Sequence, residues 1–335
     1  MKNVHSRRVG VLAACLAISA GALAACGSDS GGSGGSADPV STFRVIQSVP
    51  DTVTEVGPQA AESLGVYDKC LPGIKVDRKV GKAVEQAIAA GSADIGLVAA
   101  NSSVAAIASG LDAKIVGSAM DGWNQVLIAG PDTKDNSFAD LTPPYKFGIT
   151  RFGSAGHYGA LKIAEERGWS KSDYEFVTVG KFPSLQAGLK SGLFDGFVWG
   201  PDTGQSMQDA GDGKVVGSVT DLIGPNVQIS VLASNKMIKD HPADLKKFME
   251  CTYQAVNDLK ADRDVATSFF VDTAKKNPKV VDGLVDRDLK YASSDGKVTD
   301  AQFKGLLDAV HLTIPDQKDL TLGQVKDMYM YWGDL

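Results

Sequence analysis

Apolar and polar positions follow one another along the chain in an order that predicts strands alternating with helices. The segment Phe43-Arg44-Val45-Ile46 is typical of a strand, and the short uncharged run at 95–98 is typical of a buried strand. Between them, Val84, Ala87 and Ile88 have the i, i+3, i+4 spacing of one helical face, and this face ends at a glycine. This alternation predicts an α/β fold with mostly parallel sheets and flanking helices.

The same pattern restarts after a polar, turn-rich stretch at residues 131–144. The run Phe147-Gly148-Ile149-Thr150 begins a second series, and a further strand at 227–233 follows the break Gly224-Pro225. A long helix is predicted at 243–260. The pattern therefore predicts two lobes, which suits a chain that exceeds the size of one compact core.

A segment of the first series resembles a segment of the second. Gly91-Ser92-Ala93-Asp94 aligns with Gly192-Leu193-Phe194-Asp195, and the same shift places Asn101-Ser102 on Asp202-Thr203. In each copy a helix ends at glycine, an acid precedes a strand, and polar capping residues follow the strand. A true repeat would give each lobe a strand end and a helix start, which is where open α/β sheets bind ligands. Chance similarity of two short units is the alternative.

The start of the chain is typical of an export signal. The first eight residues carry three positive charges and no acid, and residues 9–25 carry no charge. The tetrapeptide Leu-Ala-Ala-Cys occurs twice, and its second copy predicts a lipoprotein signal peptide over 1–25 with lipidation of Cys26. Cleavage before Cys15 would leave only the four residues 9–12 as apolar core, which is too short. An uncleaved membrane helix is the alternative, although 17 uncharged residues fall short of the roughly 20 that span a bilayer.

Residues 26–40 are rich in glycine and serine and predict a flexible tether. No later run is apolar enough to span a bilayer. The sequence therefore predicts a folded body that its lipid holds on the extracytoplasmic face of a bacterial cell membrane.

Charge and cysteine content narrow the range of partners. Removal of residues 1–25 takes the net charge from −6 to −9, so no basic surface for nucleic acid is expected. Separately, we expect the protein to be a monomer. Cys70 and Cys251 remain as a candidate disulfide in an exported protein, and two buried thiols are the alternative.

Residue types needed for catalysis do not assemble into a motif. His157, His241 and His311 lie far apart, and neither His-Glu-x-x-His nor Cys-x-x-Cys occurs. Ser154 lies in a sequence that resembles a nucleophile elbow, but Phe152 stands where that motif needs glycine. The sequence therefore predicts no catalytic residue, no metal and no cofactor.

The segment from Gly148 to His157 is the strongest candidate for a binding site. Gly153, Ser154 and Gly156 surround the predicted end of a strand and the start of a helix. Free N–H groups, a hydroxyl and the positive end of the helix dipole make such a turn suitable for an anion. An ordinary serine cap between turn glycines is the alternative.

Several segments, in order, make the chain resemble the substrate-binding proteins of ABC importers in the nitrate, sulfonate and taurine group, which is related to the pyrimidine-precursor binding proteins. The resemblance runs over roughly residues 43–235. The matching segments are 89–98, 110–116, 137–141, Gly148-Ile149, Gly153-Ser154, 188–196, Trp199 and Pro201.

This resemblance implies a bilobal type II periplasmic-binding-protein fold with a double crossover. Lobe one would comprise 41–130 and 225–335, and lobe two 131–224. The body would enclose a small molecule and deliver it to permease and ATPase subunits. Related fungal pyrimidine synthases use a Cys-Cys-Cys-Phe-Cys cluster that this chain lacks, which argues against an enzyme. A lipid-anchored enzyme and a ligand-sensing domain of the same fold are the alternatives.

By position, the resemblance also implies a set of ligand-binding residues. Trp123 and Trp199 would form an aromatic wall, and Asp202 would favour a ligand that also carries an ammonium, hydroxyl or ring N–H group. The expected ligand is a small organic anion, a sulfonate or carboxylate, zwitterionic or aromatic in addition. The implied residues are Gln47, Asp51, Asn101, Ser102, Trp123, Gly153, Ser154, Gly156, His157, Trp199 and Asp202.

Overall fold

The computed structural model describes residues 40–49 and 53–335. The predicted signal peptide, Cys26 and the tether up to residue 39 lie outside these residues, as does the predicted site residue Asp51. Across the two described ranges, no helix is both long enough and apolar enough to cross a membrane.

The described residues form ten strands and fourteen α-helices. The strands are β1 (Thr42–Gln47), β2 (Lys75–Val80), β3 (Ile95–Ala99), β4 (Ala113–Asp121), β5 (Val126–Ala129), β6 (Tyr145–Ile149), β7 (Tyr174–Thr178), β8 (Gly196–Trp199), β9 (Lys214–Ser218) and β10 (Val227–Ser234). The helices are α1 (Val56–Ser63), α2 (Val66–Cys70), α3 (Val84–Ala89), α4 (Ala100–Ala108), α5 (Ala155–Glu166), α6 (Phe182–Lys190), α7 (Pro201–Ala210), α8 (Thr220–Ile223), α9 (Asn235–Asp240), α10 (Pro242–Ala261), α11 (Arg263–Ser268), α12 (Pro278–Gly283), α13 (Asp300–Thr313) and α14 (Leu322–Asp327).

The strands form two five-stranded sheets of matching topology. The first has the order β2-β1-β3-β10-β4 and the second the order β7-β6-β8-β5-β9. Strand β1 is parallel to β2 and β3, whereas β10 is antiparallel to β3 and β4. Likewise β6 is parallel to β7 and β8, whereas β5 is antiparallel to β8 and β9. Both sheets are therefore mostly parallel, as the sequence predicts, with one antiparallel strand each. We call each sheet with its flanking helices a lobe.

The antiparallel strand of each sheet is the one that the chain forms directly after crossing from the other lobe. The two crossing segments, Gly122–Gln125 and Gly224–Asn226, lie side by side: the N–H of Gly122 donates to the carbonyl of Asn226 at 2.7 Å. Strand β5, at Val126–Ala129, pairs in the second sheet, so the first crossing precedes Val126 and does not follow residue 130 as expected. The apolar run predicts a strand correctly, but apolar character is the same in both sheets and does not select the partner.

Successive residues of the central strands pack into different apolar clusters on opposite faces. Leu97 and Val98 belong to the two clusters of the first lobe, and Leu127 and Ile128 to the two clusters of the second. This is the two-residue period of a strand whose two faces are both covered by helices. It explains why β3 and β5 are continuous apolar runs in sequence.

A disulfide joins Cys70 of α2 to Cys251 of α10 in the structure, with Cα atoms 6.4 Å apart. The bond closes a loop whose ends are 181 residues apart in sequence. It lies in the first lobe, beside the stacked rings of Tyr67 and Phe248. It links the start of the lobe to the helical segment that follows the second crossing.

Candidate functional site

A cleft of about 480 Å³ lies between the two sheets, where the carboxyl ends of the strands and the loops that follow them face each other. From the first lobe and the crossing segments it is lined by Ser48, Val49, Val53, Thr54, Val80, Gly81, Lys82, Val98, Ala99, Met120, Asn124, Gln125, Gln228, Ile229, Leu284 and Asp288. From the second lobe it is lined by Thr150, Arg151, Ser154, Ala155, Gly156, Gly180, Lys181, Phe182, Trp199, Gly200, Pro201 and Asp202. Ligands of open α/β sheets bind at this edge of the strands.

Helix α5 begins in the wall of the cleft. Its cap Ser154 accepts a hydrogen bond from the N–H of His157 through Oγ, at 3.2 Å. The first-turn residues Ala155 and Gly156 line the cleft, and the N–H groups of a first turn lack partners within the helix. A Cβ atom at Gly156 would lie 2.8 Å from the carbonyl oxygen of Val198, so the close approach of helix and strand requires glycine. The turn that the sequence predicts to be suitable for an anion therefore opens onto the cleft.

His157 lies behind this turn and not in the cleft lining. Its Nδ1 accepts a hydrogen bond from the N–H of Gly153 at 3.1 Å, and its ring packs edge-on against Phe176. Burial lowers the pKa of His157 to about 4. A neutral imidazole thus holds the loop at Gly153, whose φ is +75°, and neither residue lines the cleft.

Three cations line the cleft among the residues that the structure describes, and sequence reasoning assigned a role to none of them: Lys82, Arg151 and Lys181. The Nη2 of Arg151 donates to Ser102 Oγ at 3.1 Å and lies 3.7 Å from Glu85 Oε1, so the guanidinium reaches from the second lobe to the first. Its position two residues after β6, within the segment from Gly148 to His157, was the signal that could have identified it.

Two acids line the described part of the cleft, and each is paired with a cation outside the lining. Asp202 lies 2.7 Å from Lys276 Nζ, and Asp288 accepts two hydrogen bonds from Arg287 at 2.7 and 3.0 Å. Asp202 does face the cleft, as predicted. Because its charge is already neutralised by Lys276, it does not require a cationic group on the ligand.

The two tryptophans assigned to an aromatic wall differ in position. Trp199 lines the cleft and stacks on Phe182, with ring centroids 4.9 Å apart. Trp123 is 1% exposed and packs edge-on against Tyr158 in the core of the second lobe. It lies within the first crossing segment, where the chain enters the second lobe, and its ring packs into the core there. The wall therefore consists of Trp199 and Phe182.

Gln47 at the end of β1 and Asn101 and Ser102 after β3, which were expected in the site, are buried beside it. The Nε2 of Gln47 donates to the carbonyl of Glu55 at 2.7 Å. The Nδ2 of Asn101 donates to the carbonyl of Gly153 in the second lobe and to Thr313 Oγ1, both at 2.9 Å. Strand β3 passes into α4 without a loop, so Asn101 and its neighbour Ser102 lie within the first helical turn and outside the lining.

Sequence reasoning missed the buried carboxamides in the floor of the cleft: Asn124, whose side chain is hydrogen-bonded to Asp288, and Gln125 and Gln228. Gln125 accepts a hydrogen bond at Oε1 from the indole Nε1 of Trp123, at 2.9 Å. Gln228 accepts one at Oε1 from the N–H of Asn124, at 3.1 Å. Gln125 belongs to the first crossing segment and Gln228 to the start of β10, just after the second, and only the fold brings them together. Among the described residues no group of three or more His, Cys, Asp or Glu side chains could hold a metal ion.

Solved structures with the same fold include several named as binding proteins. The alkanesulfonate-binding protein SsuA from Xanthomonas axonopodis pv. citri bound to MOPS matches with a TM-score of 0.73 and 16% identity, covering 88% of this chain and 100% of that one. The periplasmic aliphatic sulphonate binding protein SsuA from Escherichia coli matches with a TM-score of 0.67 and 17% identity, covering 83% and 88%. The periplasmic nitrate-binding protein NrtA from Synechocystis PCC 6803 matches with a TM-score of 0.67 and 14% identity, covering 87% and 86%.

Identities this low establish a shared fold and not a shared ligand. No curated protein sequence matches the chain significantly. The sequence profile described as NMT1/THI5 like matches residues 60–266, which is more than half of the chain and includes both crossings. On this match, together with the two-sheet fold, the chain belongs to the NMT1/THI5-like family.

Proposed function

We propose that the protein is the solute-binding component of an ABC importer and that it captures a small organic anion, a sulfonate or carboxylate, between its lobes. One observation carries this proposal: the interlobe cleft combines a helix start with three cations, of which only Arg151 faces an acid, Glu85, whereas the two described acids of its lining are already paired. The protein would bind and release its ligand unchanged, and it would not act as an enzyme.

The charge balance of the cleft favours an anion. Lys82, Arg151 and Lys181 lie in the lining, and the N-terminus of α5 adds the positive end of a helix dipole. Asp202 and Asp288 contribute little negative potential, because a lysine and an arginine neutralise them. A bound anion would meet excess positive charge in a partly enclosed site, where charge interactions are stronger than in bulk water.

The size and lining of the cleft favour an organic anion over an inorganic one. A water molecule takes about 30 Å³ of liquid volume, so 480 Å³ corresponds to many times the volume of nitrate. Trp199 and Phe182, with Val80, Met120 and Ile229, give the anion site an apolar surround that can bury a carbon skeleton. The structure of SsuA bound to MOPS, a bulky sulfonate, shows that this fold accommodates such a ligand.

Contacts between the lobes support a mechanism of closure around the ligand. Arg151 reaches Ser102, Asp202 pairs with Lys276, and the ammonium of Lys82 donates to the carbonyl of Gly180. Each of these contacts joins one lobe to the other, so they form only when the lobes approach. A ligand that bridges both walls would shift the population towards this closed form.

The remaining parts of the proposal follow from the sequence. Lipidation of Cys26 would keep the folded body, as a monomer, on the extracytoplasmic face of the bacterial cell membrane, and the tether would let it reach permease and ATPase subunits. Replacement of Cys26 by serine should release the protein from the membrane, whereas replacement of Cys15 should not. Membrane fractionation of the two variants measures this difference.

The ligand is tested by calorimetric titration of the purified full-length protein with MOPS, short alkanesulfonates, taurine, aromatic carboxylates and nitrate. We expect an organic sulfonate or carboxylate to bind, and mass spectrometry to recover it unchanged. Binding of nitrate alone would contradict an organic cargo, and consumption of the ligand would contradict a binding protein.

Two lysines on one helix provide a matched pair of variants. Lys181 caps α6 at the cleft, and Lys190 ends the same helix at an exposed position. Lys181→Met should weaken binding of the organic anion about tenfold, the equivalent of roughly 1.4 kcal/mol, whereas Lys190→Met should leave it unchanged. Equal effects of the two variants would show that overall charge, and not the cleft, attracts the anion.

A further inference from the structure

The floor of the cleft lies where the two crossing segments meet, and three buried carboxamides line it: Asn124, whose side chain is hydrogen-bonded to Asp288, and Gln125 and Gln228. Gln125 is 6% exposed and Gln228 is 2% exposed, yet both line the cleft. Each is therefore enclosed by protein on every side except the one that faces the cleft.

Fixed donors determine which end of each carboxamide faces the ligand space. The indole of Trp123 donates to Gln125 Oε1, and the main-chain N–H of Asn124 donates to Gln228 Oε1. Rotation of either carboxamide by 180° would set its NH₂ group against another N–H donor, which is unfavourable. Neither Nε2 has an acceptor within residues 40–49 and 53–335. Two NH₂ groups, with four N–H donors between them, are thus left for a ligand.

We propose, on the basis of the proposed function, that these NH₂ groups bind a second polar group of the ligand, and that this group is a pure hydrogen-bond acceptor. One end of the ligand is an anion at the start of α5, and the other end carries a carboxylate or carbonyl oxygen that reaches Gln125 and Gln228. The cargo is then an organic acid with acceptors at both ends, such as a sulfocarboxylate or a ketosulfonate.

The acids of the cleft do not oppose this assignment. Asp202 is paired with Lys276 and Asp288 with Arg287, so neither carboxylate requires a donor from the ligand. A ligand that ended in an ammonium would instead leave both NH₂ groups of the floor facing a donor. Buried donors without acceptors are unfavourable, and this selects against zwitterions such as aminosulfonates.

The test compares sulfonates that differ only in the group at the far end. Calorimetry of the purified full-length protein would use chains of two to six carbons that end in carboxylate, methyl or ammonium. At the best chain length, we expect the carboxylate form to bind at least tenfold more tightly than the methyl form, and the ammonium form to bind most weakly. If methyl or ammonium forms bind as well as carboxylates, the acceptor inference is wrong while the proposed function stands. If no sulfonate or carboxylate binds, the proposed function fails and this inference fails with it.

Two isosteric variants test the carboxamides themselves. In Gln228→Glu the carboxylate can still accept the N–H of Asn124, and in Gln125→Glu it can still accept the indole N–H, but neither variant has an NH₂ group for the ligand. Each should weaken binding of the carboxylate-ended sulfonate at least tenfold and improve binding of the ammonium-ended one. Gln86→Glu, an equal charge change at an exposed position outside the lining, should alter neither.

A reversed preference distinguishes recognition from a structural role. If Gln228→Glu and Gln125→Glu weakened all ligands equally, the carboxamides would only support the fold and the inference would be overturned. Thermal unfolding of each variant identifies a loss of fold, and the ligand series on the unmodified protein tests the inference independently of both variants.

Discussion

The helix–strand–helix units around β3 and β8 have the same architecture, and they differ at the start of the helix that follows each strand. Helices α3 and α6 end before Gly91 and Gly192, whose φ values are +64° and +70°. The acid after each glycine accepts a hydrogen bond from a main-chain N–H near the start of the neighbouring strand. Asp94 accepts from the N–H of Arg44 at 3.0 Å, and Asp195 accepts from the N–H of Lys146 at 2.7 Å. The strands themselves hold the same central place in their sheets. The sequence echo at these positions therefore corresponds to equivalent places in the fold.

At the opposite end of each unit the two helix starts diverge. Asn101 of the first lobe is buried and donates to Gly153 of the second, whereas Asp202 of the second lobe lines the cleft and pairs with Lys276 of the first. Both polar residues join the lobes, one through a neutral hydrogen bond and one through an ion pair. The comparison shows that a polar residue at a helix start beside an interlobe cleft can serve closure instead of the ligand.

The largest expected difference between the lobes comes from the disulfide, because the second lobe contains no cysteine. A cross-link over 181 residues restricts the unfolded chain strongly. The double variant Cys70→Ser/Cys251→Ser should lower the free energy of unfolding by about 3 to 5 kcal/mol, measured by urea denaturation. Ligand affinity should stay unchanged, because neither residue lines the cleft.

Reduction of the unmodified protein serves as the control for this variant. Reductant should lower the stability of the unmodified protein to that of the double variant, and it should not affect the double variant. A loss of less than 1 kcal/mol would show that packing around Phe248, and not the cross-link, stabilises this part of the first lobe.

A buried titratable group follows β1 in the first lobe and β6 in the second, strands that hold the same place in their sheets. The contributions of these two groups to stability depend on pH in opposite directions. Glu55, after β1, accepts hydrogen bonds from Ser48 and Val49, and burial raises its pKa from 4.5 to about 8. His157, after β6, has its pKa lowered by burial from 6.5 to about 4. The folded protein therefore keeps the proton of Glu55 longer than the unfolded chain does, and it excludes a proton from His157 that the unfolded chain accepts.

The sign of each contribution follows from proton linkage. The contribution of Glu55 falls as the pH rises from about 4.5 to about 8, and that of His157 falls as the pH drops from about 6.5 to about 4. One proton corresponds to a slope of about 1.4 kcal/mol per pH unit. Urea unfolding from pH 4 to pH 8.5 should show that Glu55→Gln removes the decline above pH 6.5. His157→Asn, which keeps an acceptor for Gly153, should remove the acid-side loss. Unchanged pH profiles would contradict both assignments.

The shared end of the two units offers a paired mutation of intermediate effect. Asp94 accepts hydrogen bonds from the N–H and the guanidinium of Arg44, whereas Asp195 accepts from the N–H of Lys146 at an exposed position. Asp94→Ala should therefore cost about 2 kcal/mol of unfolding free energy, and Asp195→Ala about 0.5 to 1 kcal/mol. Urea denaturation measures both, and equal costs would show that the main-chain contact alone matters.

Much of the fold could be predicted from sequence because it depends on local patterns. Continuous apolar runs predict strands that are covered on both faces, and Ser154 followed by Gly156 identifies a helix start that opens on the cleft. The sheet that receives β5 could not be predicted, because its apolar run would suit either sheet. Trp123 follows β4 and Trp199 ends β8, so their sequence contexts are similar. Only the direction in which the chain enters the second lobe places Trp123 in the core and Trp199 in the cleft.

The amide floor of the cleft was not predictable for a different reason. Gln125 lies in the first crossing and Gln228 at the start of β10, just after the second crossing, and neither belongs to a motif. Their proximity depends on the two crossings running side by side. The orientation of their amides depends on two donors in the first crossing, the indole N–H of Trp123 and the main-chain N–H of Asn124. Sequence patterns predict elements, whereas this part of the site is made by long-range topology.

The last comparison concerns the ionic contact that distinguishes the two helix starts. Removal of either partner, in Asp202→Asn or Lys276→Met, should destabilise the closed form and weaken binding of the organic anion about tenfold. The double variant should lose less than the product of the two single effects, because the pair is absent after either change. Calorimetric titration of all four proteins measures this coupling.

The two single variants also separate closure from direct electrostatics, because they change the local charge in opposite directions. If Asp202 acted on an anionic ligand through its charge, Asp202→Asn would tighten binding and Lys276→Met would weaken it. If the pair acts by holding the lobes together, both variants weaken binding to a similar degree. Tighter binding by Asp202→Asn would therefore contradict the interlobe role, and it would return Asp202 to the set of residues that select the charge of the ligand.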